Sequence, residues 1–180
     1  MDWKTVLEKL RSETEIIETR ENARDEVYIT VASSGFARAC CALHKLLNAP
    51  VAMMWATDER SVNNSFGIWC GFRAPAFKRW VFARTSVSAA DPRFEGFSRT
   101  VYSASLFERE IKEMFGIEPA GSPDLRRLRL HSEVWPEGFY PLRKDFKMPP
   151  KTGGGPDFQF ARGEGEGIFE VPVGPVHAGI

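Results

Sequence analysis

Few side chains in this sequence have the type and spacing that metal binding or nucleophilic chemistry needs. The cysteines are Cys40, Cys41 and Cys70, and no two of them form a C-x-x-C motif. Neighbouring positions on a helix point about 100° apart, so Cys40 and Cys41 cannot both face one metal ion without distortion. We therefore expect the cysteines to be small apolar residues of a core.

The histidines give no stronger indication of a catalytic or metal site. They are scattered through the chain as His44, His131 and His177, without an H-E-x-x-H motif or a visible Ser/His/Asp spacing. Triad members need not be near in sequence, so this observation bears only on local motifs. We expect His44, beside the apolar stripe of its predicted helix, to be a packing or surface residue.

Three carboxylates lie close together on another predicted helix, at Glu108, Glu110 and Glu113. Neighbouring carboxylates can carry out acid–base chemistry. On a helix with this many charges they are more often solvated or salt-bridged, and we favour that interpretation. A buried ion pair between Arg109 and Glu113 is equally compatible with the sequence.

Arginine is concentrated in two segments after that helix. LRRLRLH at 125–131 sets arginines among leucines, and YPLRKDF at 140–146 sets two cations and an acid between apolar anchors. Planar guanidinium groups suit carboxylates at a protein–protein surface. Nucleic acid is the other usual ligand of such clusters, but a net charge of zero counts against it. We predict docking to protein and no binding to nucleic acid.

The composition is that of a soluble globular protein. With 180 residues, 43% of them hydrophobic and 27% charged, the chain is long enough for one domain plus extensions. The odd, sparse set of cysteines indicates reduced thiols in a cytosolic compartment. The N-terminus lacks the apolar block of a signal peptide, and the longest apolar run, 51–56, is too short to span a bilayer. Any membrane contact is therefore expected only through partner subunits.

Two helices are predicted in the first part of the chain. Residues 2–11 have an amphipathic pattern, with Asp2 as a possible N-cap. The apolar stripe over 35–48 predicts the second helix, with Ser33 or Ser34 as its cap. These helices would pack with a sheet.

The sheet itself is predicted from four runs of apolar and alternating residues. They are 26–31, 51–57, 65–72 and 78–87, and the last three are separated only by turn sequences. The last three runs are therefore expected to form a meander. Helices mixed with consecutive strands indicate an α+β fold with an antiparallel or mixed sheet of about four strands.

The clearest helix in the sequence is SASLFEREIKEMFGI. Ser105 and Glu108 have the spacing of a capping box, and Glu108 and Lys112 have that of a favourable i,i+4 pair. Gly116 lies where a helix-ending glycine is expected. Arg109 and the three carboxylates discussed above, Glu108, Glu110 and Glu113, are all on this helix.

Three ordered blocks of the sequence resemble the thirty-kilodalton subunit family of respiratory complex I. The family pattern is E-R-E-x-x-D-x-F-G-[IV], then G-H-P-x-L-R-R, then P-L-R-K-D-[FY]. The matching residues are Glu108, Arg109, Glu110, Phe115, Gly116 and Ile117, then Leu125, Arg126 and Arg127, then Pro141, Leu142, Arg143, Lys144, Asp145 and Phe146. The family's Asp is Glu113 here, and the His of its second block is Ser122.

The resemblance covers about residues 1–146 and implies a scaffold domain without catalytic residues, cofactor or metal of its own. Iron–sulfur clusters and nickel–iron or quinone would lie in neighbouring subunits of the complex. The domain would pack against the catalytic large subunit and the cluster-bearing small subunit, peripherally on the cytoplasmic face of the membrane. We expect interface or fold-locking ion pairs from the following residues: Arg126, Arg127, Arg143, Lys144 and Asp145.

The C-terminal part of the chain predicts a linker and the start of a second domain. Residues 147–167 are rich in Pro and Gly and predict a linker, or an extended arm over the partner. Residues 168–180 resemble the start of the large-subunit domain that follows in fused proteins, through the residues Gly174, Pro175 and His177. We expect the chain to be a fragment ending just inside that catalytic module, its last residues flexible and inactive.

The same segment distinguishes two subgroups of the resembled family. Quinone-reducing members read G-P-Q-H-P there, whereas Val176 replaces the Gln in this sequence. This favours the formate-hydrogenlyase type of energy-converting, membrane-associated nickel–iron hydrogenase. The alternative is a free-standing C-type subunit of an NADH-quinone oxidoreductase, contributing to electron transfer from NADH to quinone.

Overall fold

The computed structural model describes residues 3–22, 25–74, 76, 78–132, 135–150, 163 and 165–169. Its helices are α1 (Trp3–Glu13), α2 (Phe36–Leu47), α3 (Arg60–Asn63) and α4 (Ser105–Phe115). Its strands are β1 (Ile16–Glu21), β2 (Glu26–Val31), β3 (Val51–Asp58), β4 (Ser65–Ala74), β5 (Arg79–Ser88), β6 (Arg93–Glu95) and β7 (Glu118–Ala120). Asp2, the expected cap of α1, lies outside the described residues.

The main sheet has five strands in the order β1-β2-β5-β4-β3, and β6 and β7 form a separate parallel pair. β3, β4 and β5 pair antiparallel as consecutive neighbours, which confirms the predicted meander. β2 and β5 pair in parallel, so the sheet is mixed. The α+β class is confirmed, with β1 as one strand more than expected, because IIETRE is too charged to give an alternating pattern.

The core lies between one face of this sheet and the helices. Alternate residues of β4, from Phe66 to Phe72, are buried there as the period of a strand requires. Phe36 and Leu43 of α2 are fully buried against them, and α4 packs against β3. β3 and α4, which position the segment described below, are thus fixed to one core.

The start of α2 differs from the expectation, and its end agrees with it. Ser33 and Ser34 belong to a 3-10 turn that leads into the helix at Phe36, and no side-chain cap hydrogen bond is present at this start. The predicted serine cap is therefore wrong. Asn48 ends the helix in the left-handed conformation, with φ of 47°.

The start of α4 is a similar correction. The helix begins directly after a second 3-10 turn, Tyr102–Ala104, and has no side-chain cap hydrogen bond. The capping box is wrong because Glu108 points into the protein, and Lys112 pairs instead with Glu118, with Nζ and Oε2 3.0 Å apart. Gly116 ends the helix with φ of 66°, as expected.

The cysteines and His44 have packing roles. Cys40 and Cys70 are buried and Cys41 is half-buried, and burial raises the pKa of the Cys40 thiol well above its ordinary value. The half-buried His44 holds the turn after α2 through Nδ1, which lies 2.8 Å from the Ala49 carbonyl oxygen. Within the described part of the chain, no three His, Cys, Asp or Glu side chains are grouped to hold a metal ion. None of the helices there is long and apolar enough to cross a bilayer.

Candidate interaction site

After β7 the chain crosses α4 and reaches the end of β3 as a segment that we call the strap, residues 122–146. Its described residues form neither helix nor strand. Backbone polar groups in such a segment need partners elsewhere when they are shielded from water. Charged side chains of α4 and of the β3–α3 corner supply many of these partners.

The first anchoring side chain is Glu108, which is fully buried near the start of α4. Its Oε1 accepts hydrogen bonds from the backbone N–H groups of Phe97 at 2.7 Å and Ser98 at 3.0 Å. Its Oε2 accepts one from the Ser98 hydroxyl, which in turn lies 3.2 Å from the hydroxyl of Ser122. Glu108 therefore fixes the loop against which the strap begins.

The second anchor is Glu113, which is buried one and a half turns further along α4. Three consecutive backbone N–H groups of the strap donate to its carboxylate. They are those of Leu128 at 3.1 Å, Arg129 at 3.0 Å and Leu130 at 2.7 Å. A carboxylate in a concave row of N–H groups is a strong, charge-assisted arrangement. Glu113 therefore holds the middle of the strap.

The third anchor is the guanidinium of Arg109, which binds strap carbonyls from the same helix. Its Nε donates to the carbonyl of Arg126 and its Nη2 to that of Arg127, both at 2.8 Å. Asp124 is its nearest carboxylate, with Nη1 and Oδ2 3.6 Å apart. The predicted ion pair between Arg109 and Glu113 is wrong, because both side chains bind strap backbone instead.

The last turn of α4 holds the C-terminal end of the strap through Arg143. Its Nε donates to the carbonyl of Phe115 at 2.6 Å, and its guanidinium lies 4.3 Å from the ring centre of Tyr140. The Tyr140 ring lies over Gly116, where a Cβ atom would be only 2.3 Å from it. Burial lowers the pKa of Arg143, yet an arginine stays charged in a protein.

A cluster of charges fastens the strap to the end of β3, and we call it the latch. Arg60 donates twice to Asp58, at 2.9 and 2.7 Å, and twice to Asp145 of the strap, at 3.0 and 2.6 Å. The backbone N–H of Lys144 donates to the second Asp58 oxygen at 2.9 Å. Hydrogen bonds from Arg60 hold the pKa of the buried Asp58 well below its ordinary value, and the two carboxylates raise that of Arg60.

A cavity of about 460 Å³ lies between α4 and the strap. Its walls carry both signs of charge, with Arg109, Lys112 and Arg127 facing Glu113 and Glu137. Arg127 donates to the carbonyl of Trp135 at 2.7 Å, so most of these charges already have protein partners. The cavity is thus part of how the strap is held.

The structure separates the sequence-predicted residues into two groups. The first group holds the strap in place: Glu108, Arg109, Arg127, Arg143 and Asp145. Of the three helix carboxylates, only Glu110 is solvated and salt-bridged as expected, with its Oε1 3.3 Å from Nη1 of Arg129 at the surface. Arg126, Leu142 and Lys144 have exposed side chains that do not hold the strap to α4 or the latch, whereas the exposed Asp145 is bound to Arg60. Gly174, Pro175 and His177 lie outside the described residues.

Sequence reasoning missed Asp58 and Arg60, because residues 58–64, DERSVNN, were counted among the turn sequences between the predicted strands. An acid and an arginine two residues apart, directly after a buried strand, were the available signal. Their partner Asp145 is 85 residues away from Arg60, so only the fold brings the latch together.

Residues 29–152 match the family of the respiratory-chain NADH dehydrogenase 30 Kd subunit, and this range includes α4, the latch and the whole strap. The chain belongs to this family. In this member of the family, most of the charged motif residues fix the strap to the α+β domain.

Relatives of this 30 Kd subunit-type chain include two proteins of Escherichia coli strain K12. It is 29% identical over 160 residues to formate hydrogenlyase subunit 5, covering 86% of this chain and 28% of that protein. It is 28% identical over 167 residues to hydrogenase-4 component G, covering 90% and 30% respectively. The chain thus spans less than a third of the length of these relatives.

Solved structures show the same fold. A chain of the membrane-bound sulfane sulfur reductase, an archaeal respiratory membrane complex, superposes with a TM-score of 0.62 at 19% identity. The match covers 81% of this chain and 83% of that one. At this identity the likeness establishes the fold alone.

Proposed function

We propose that this 30 Kd subunit-type chain is a non-catalytic assembly domain of a complex I-like, membrane-associated oxidoreductase. The observation that carries the proposal is the strap: α4 and the latch hold its backbone from the inside and leave its outer surface to solvent. Exposed apolar groups rimmed by charge are typical of protein–protein contact. The docking residues are those of its outer surface.

The outer surface at the end of the strap has the composition of an interface. Leu142 is 54% exposed, and Met148, two residues beyond the strap, is 73% exposed. Between them the Lys144 side chain is exposed and has no carboxylate partner among the described residues. At the other end, Arg126 is 84% exposed and is held in place by Asp124 at 2.8 Å. A partner with apolar and acidic groups fits these features.

The partners are the catalytic large-subunit domain and the cluster-bearing small subunit. Iron–sulfur clusters and nickel–iron or quinone belong to those partners in this proposal, and the contact with the inner face of the membrane is made through them. Its support is the family and the match to two hydrogenase subunits over most of this chain. The division into a domain at 1–146, an arm at 147–167 and a large-subunit start at 168–180 belongs to the same proposal.

The formate-hydrogenlyase type of nickel–iron hydrogenase is the first candidate for the whole complex. The matches to the two hydrogenase relatives cover 86% and 90% of this chain, which favours this candidate. The resemblance of Gly174, Pro175 and His177 to the start of a large-subunit domain favours it too. The description of the family as an NADH dehydrogenase subunit favours the alternative, a free-standing C-type subunit that contributes to electron transfer from NADH to quinone.

The gene sequence beyond the codon for Ile180 distinguishes these two candidates. Continuation through two C-x-x-C motifs, which can hold nickel and iron, supports the hydrogenase. A stop codon there, beside genes for NADH dehydrogenase subunits, supports the alternative.

Pull-down of the other subunits tests the docking role. Lys144→Ala removes an exposed charge of the outer surface, so we expect weaker pull-down with an unchanged melting temperature. Arg143→Ala removes an internal anchor, so we expect weaker pull-down with a lowered melting temperature. Complete assembly with both variants would contradict the docking role of the strap.

A further inference from the structure

The sheet face that points away from the helices carries a layer of aromatic side chains, which we call the platform: Tyr28, Trp55, Trp69, Trp80 and Phe82. None of the five belongs to the buried core cluster. Four of them are half-buried, and Phe82 is buried. Large aromatic groups on a sheet face outside the core are unusual on a surface that meets only water.

The strand register places these groups in continuous rows across the sheet. In one row, Arg20 of β1 is opposite Tyr28, which is opposite Phe82, then Gly71, then Met53 of β3. A neighbouring row has Glu18, Thr30, Arg84, Trp69 and Trp55 in the same order of strands. The platform therefore lies on four neighbouring strands, β2, β5, β4 and β3, with Arg20 and Glu18 of β1 beside it.

The rings touch one another and form a single surface. Trp55 and Trp69 are stacked with ring centres 5.7 Å apart, and Tyr28 and Phe82 with centres 5.2 Å apart. Trp80 stacks on Phe82 at 5.9 Å. Gly71 makes room for this layer, because a Cβ atom there would lie 2.9 Å from the Phe82 ring. The platform is thus preorganised, which lowers the entropic cost of binding.

Guanidinium groups border the platform on several sides. Arg84 lies 5.1 Å from the centre of Trp69 and is paired with Glu59 at 2.7 Å. Arg20 and Arg73 lie 5.0 Å from Tyr28 and 5.7 Å from Trp80. Neither of these two has a carboxylate partner within 4 Å among the described residues. Two cations at the border therefore have no anionic partner in the described part of the chain.

A shallow cavity of about 260 Å³ lies beside one of these cations. Arg20, Arg84, Tyr28 and Trp69 line it together with Glu18 and Thr30. A carboxylate placed there would meet the guanidinium of Arg20, beside Glu18 and an Arg84 that is already paired with Glu59.

We infer that the platform binds an apolar segment, flanked by Asp or Glu, from another subunit of the complex. The inference rests on the proposed function in one respect, that such a complex exists. Charge complementarity selects this partner: the centre is aromatic, and the border cations Arg20 and Arg73 are the groups without anionic partners. Aromatic and arginine side chains are also those most enriched at the centres of interfaces.

Single-stranded nucleic acid is the other class that binds aromatic sheets bordered by arginine. Base stacking needs open ring faces, whereas Trp55 and Trp69 cover each other and Arg84 covers Trp69. These covered ring faces favour a protein segment.

A site-specific cross-link in the assembled complex tests the inference. The full chain is co-expressed with its neighbouring subunits, with a photoreactive p-benzoylphenylalanine at position 53, where Met53 is 36% exposed at the edge of the platform. The matched control carries the same group at position 45, since Lys45 is exposed on α2, which packs against the other face of the sheet. We expect position 53 alone to cross-link to an apolar, Asp- or Glu-flanked segment of another subunit, as mapped by mass spectrometry.

Charge reversal tests the chemistry of the partner. The double variant Arg20→Glu and Arg73→Glu should lower the position-53 cross-link by about tenfold or more. Arg38→Glu, at an exposed arginine of α2, should leave it unchanged. A full cross-link in the double variant would overturn the assigned partner chemistry.

The outcomes separate this inference from the proposed function. A formed complex in which position 53 cross-links to nothing, to residues 147–180 of this chain or to a second copy overturns the platform inference alone. So does tight binding of a short single-stranded RNA to the full chain at physiological salt. If Lys144→Ala abolishes assembly, the cross-link from position 53 of the otherwise wild-type chain still tests the platform inference. A wild-type chain that never assembles with other subunits overturns both the platform inference and the proposed function.

Discussion

Glu113 is the most informative single position in the domain, because one carboxylate accepts three backbone N–H groups of the strap. Its replacement by glutamine keeps the size and shape of the side chain and removes the charge. The amide has one accepting oxygen, and its NH₂ group faces N–H donors that it cannot bind. Glu113→Gln therefore weakens the attachment of the strap at residues 128–130 without leaving a cavity.

The magnitude follows from the number and type of hydrogen bonds. A hydrogen bond to a charged group contributes about 1.5–3 kcal/mol, a neutral one about 1 kcal/mol, and an unsatisfied buried donor costs about 1–3 kcal/mol. Loss of the charge and of at least one partner gives about 2–4 kcal/mol for the opening of the strap. This corresponds to a fall of about 30- to 1,000-fold in hydrogen-exchange protection of the strap amides.

The assay is native-state hydrogen exchange of the amides of Leu128, Arg129 and Leu130. Glu110→Gln is the matched control, since it makes the same chemical change on the same helix. Its pair with Arg129 is at the surface, with side chains 35% and 53% exposed, so it should change protection by little.

The reasoning would be refuted if Glu113→Gln and Glu110→Gln had the same effect on these three amides. It would also be refuted if Glu113→Gln lowered the stability of the whole domain and left the relative protection of the strap unchanged.

Three other predictions concern the latch, the end of α4 and the core. Because the folded-state pKa of Asp58 is depressed, its contribution to stability is complete above the unfolded pKa of about 3.9 and is lost as the pH falls through the folded value. The melting temperature should therefore decrease as the pH is lowered below about 4, and less steeply in Asp58→Asn; equal slopes would contradict the latch. In urea unfolding, Gly116→Ala should lower the free energy of unfolding by about 2–4 kcal/mol, because its methyl group meets Tyr140. Gly121→Ala, with φ of 81° and nothing within 4 Å of the added methyl group, should lower it by about 1 kcal/mol. Similar losses in the two variants would contradict the contact between Gly116 and Tyr140. The Cys40 thiol should react with Ellman's reagent only on unfolding, and fast labelling of the native protein would show that the core opens.

Much of the fold could be predicted because it depends on local patterns. The alternation along β4 and the apolar stripes of α2 and α4 are the direct imprint of burial on a period of two or 3.6 residues. β1 could not be predicted in the same way, since IIETRE lies at a sheet edge and has few buried positions. Its place is fixed by pairing with β2.

The site was predictable in its residues and less so in its contacts. The family motif identified Glu108, Arg109 and Arg143, but charged side chains on an amphipathic helix are usually solvated, and that expectation failed here. The reason is tertiary: the strap has no regular structure, so its backbone groups need side-chain partners, and α4 lies beneath them. The latch also depends on a contact between distant parts of the chain that no local pattern records.

The most direct test of the account is hydroxyl-radical footprinting of the chain alone and in the assembled complex. The central claim is that the outer surface of the strap docks on a partner subunit. Leu142 and Met148 are exposed at that surface, and Ile17 is exposed on β1, at the sheet edge opposite β3. We predict that Leu142 and Met148 become protected on assembly while Ile17 stays reactive. An assembled complex in which Leu142 and Met148 are as reactive as in the chain alone would contradict the account.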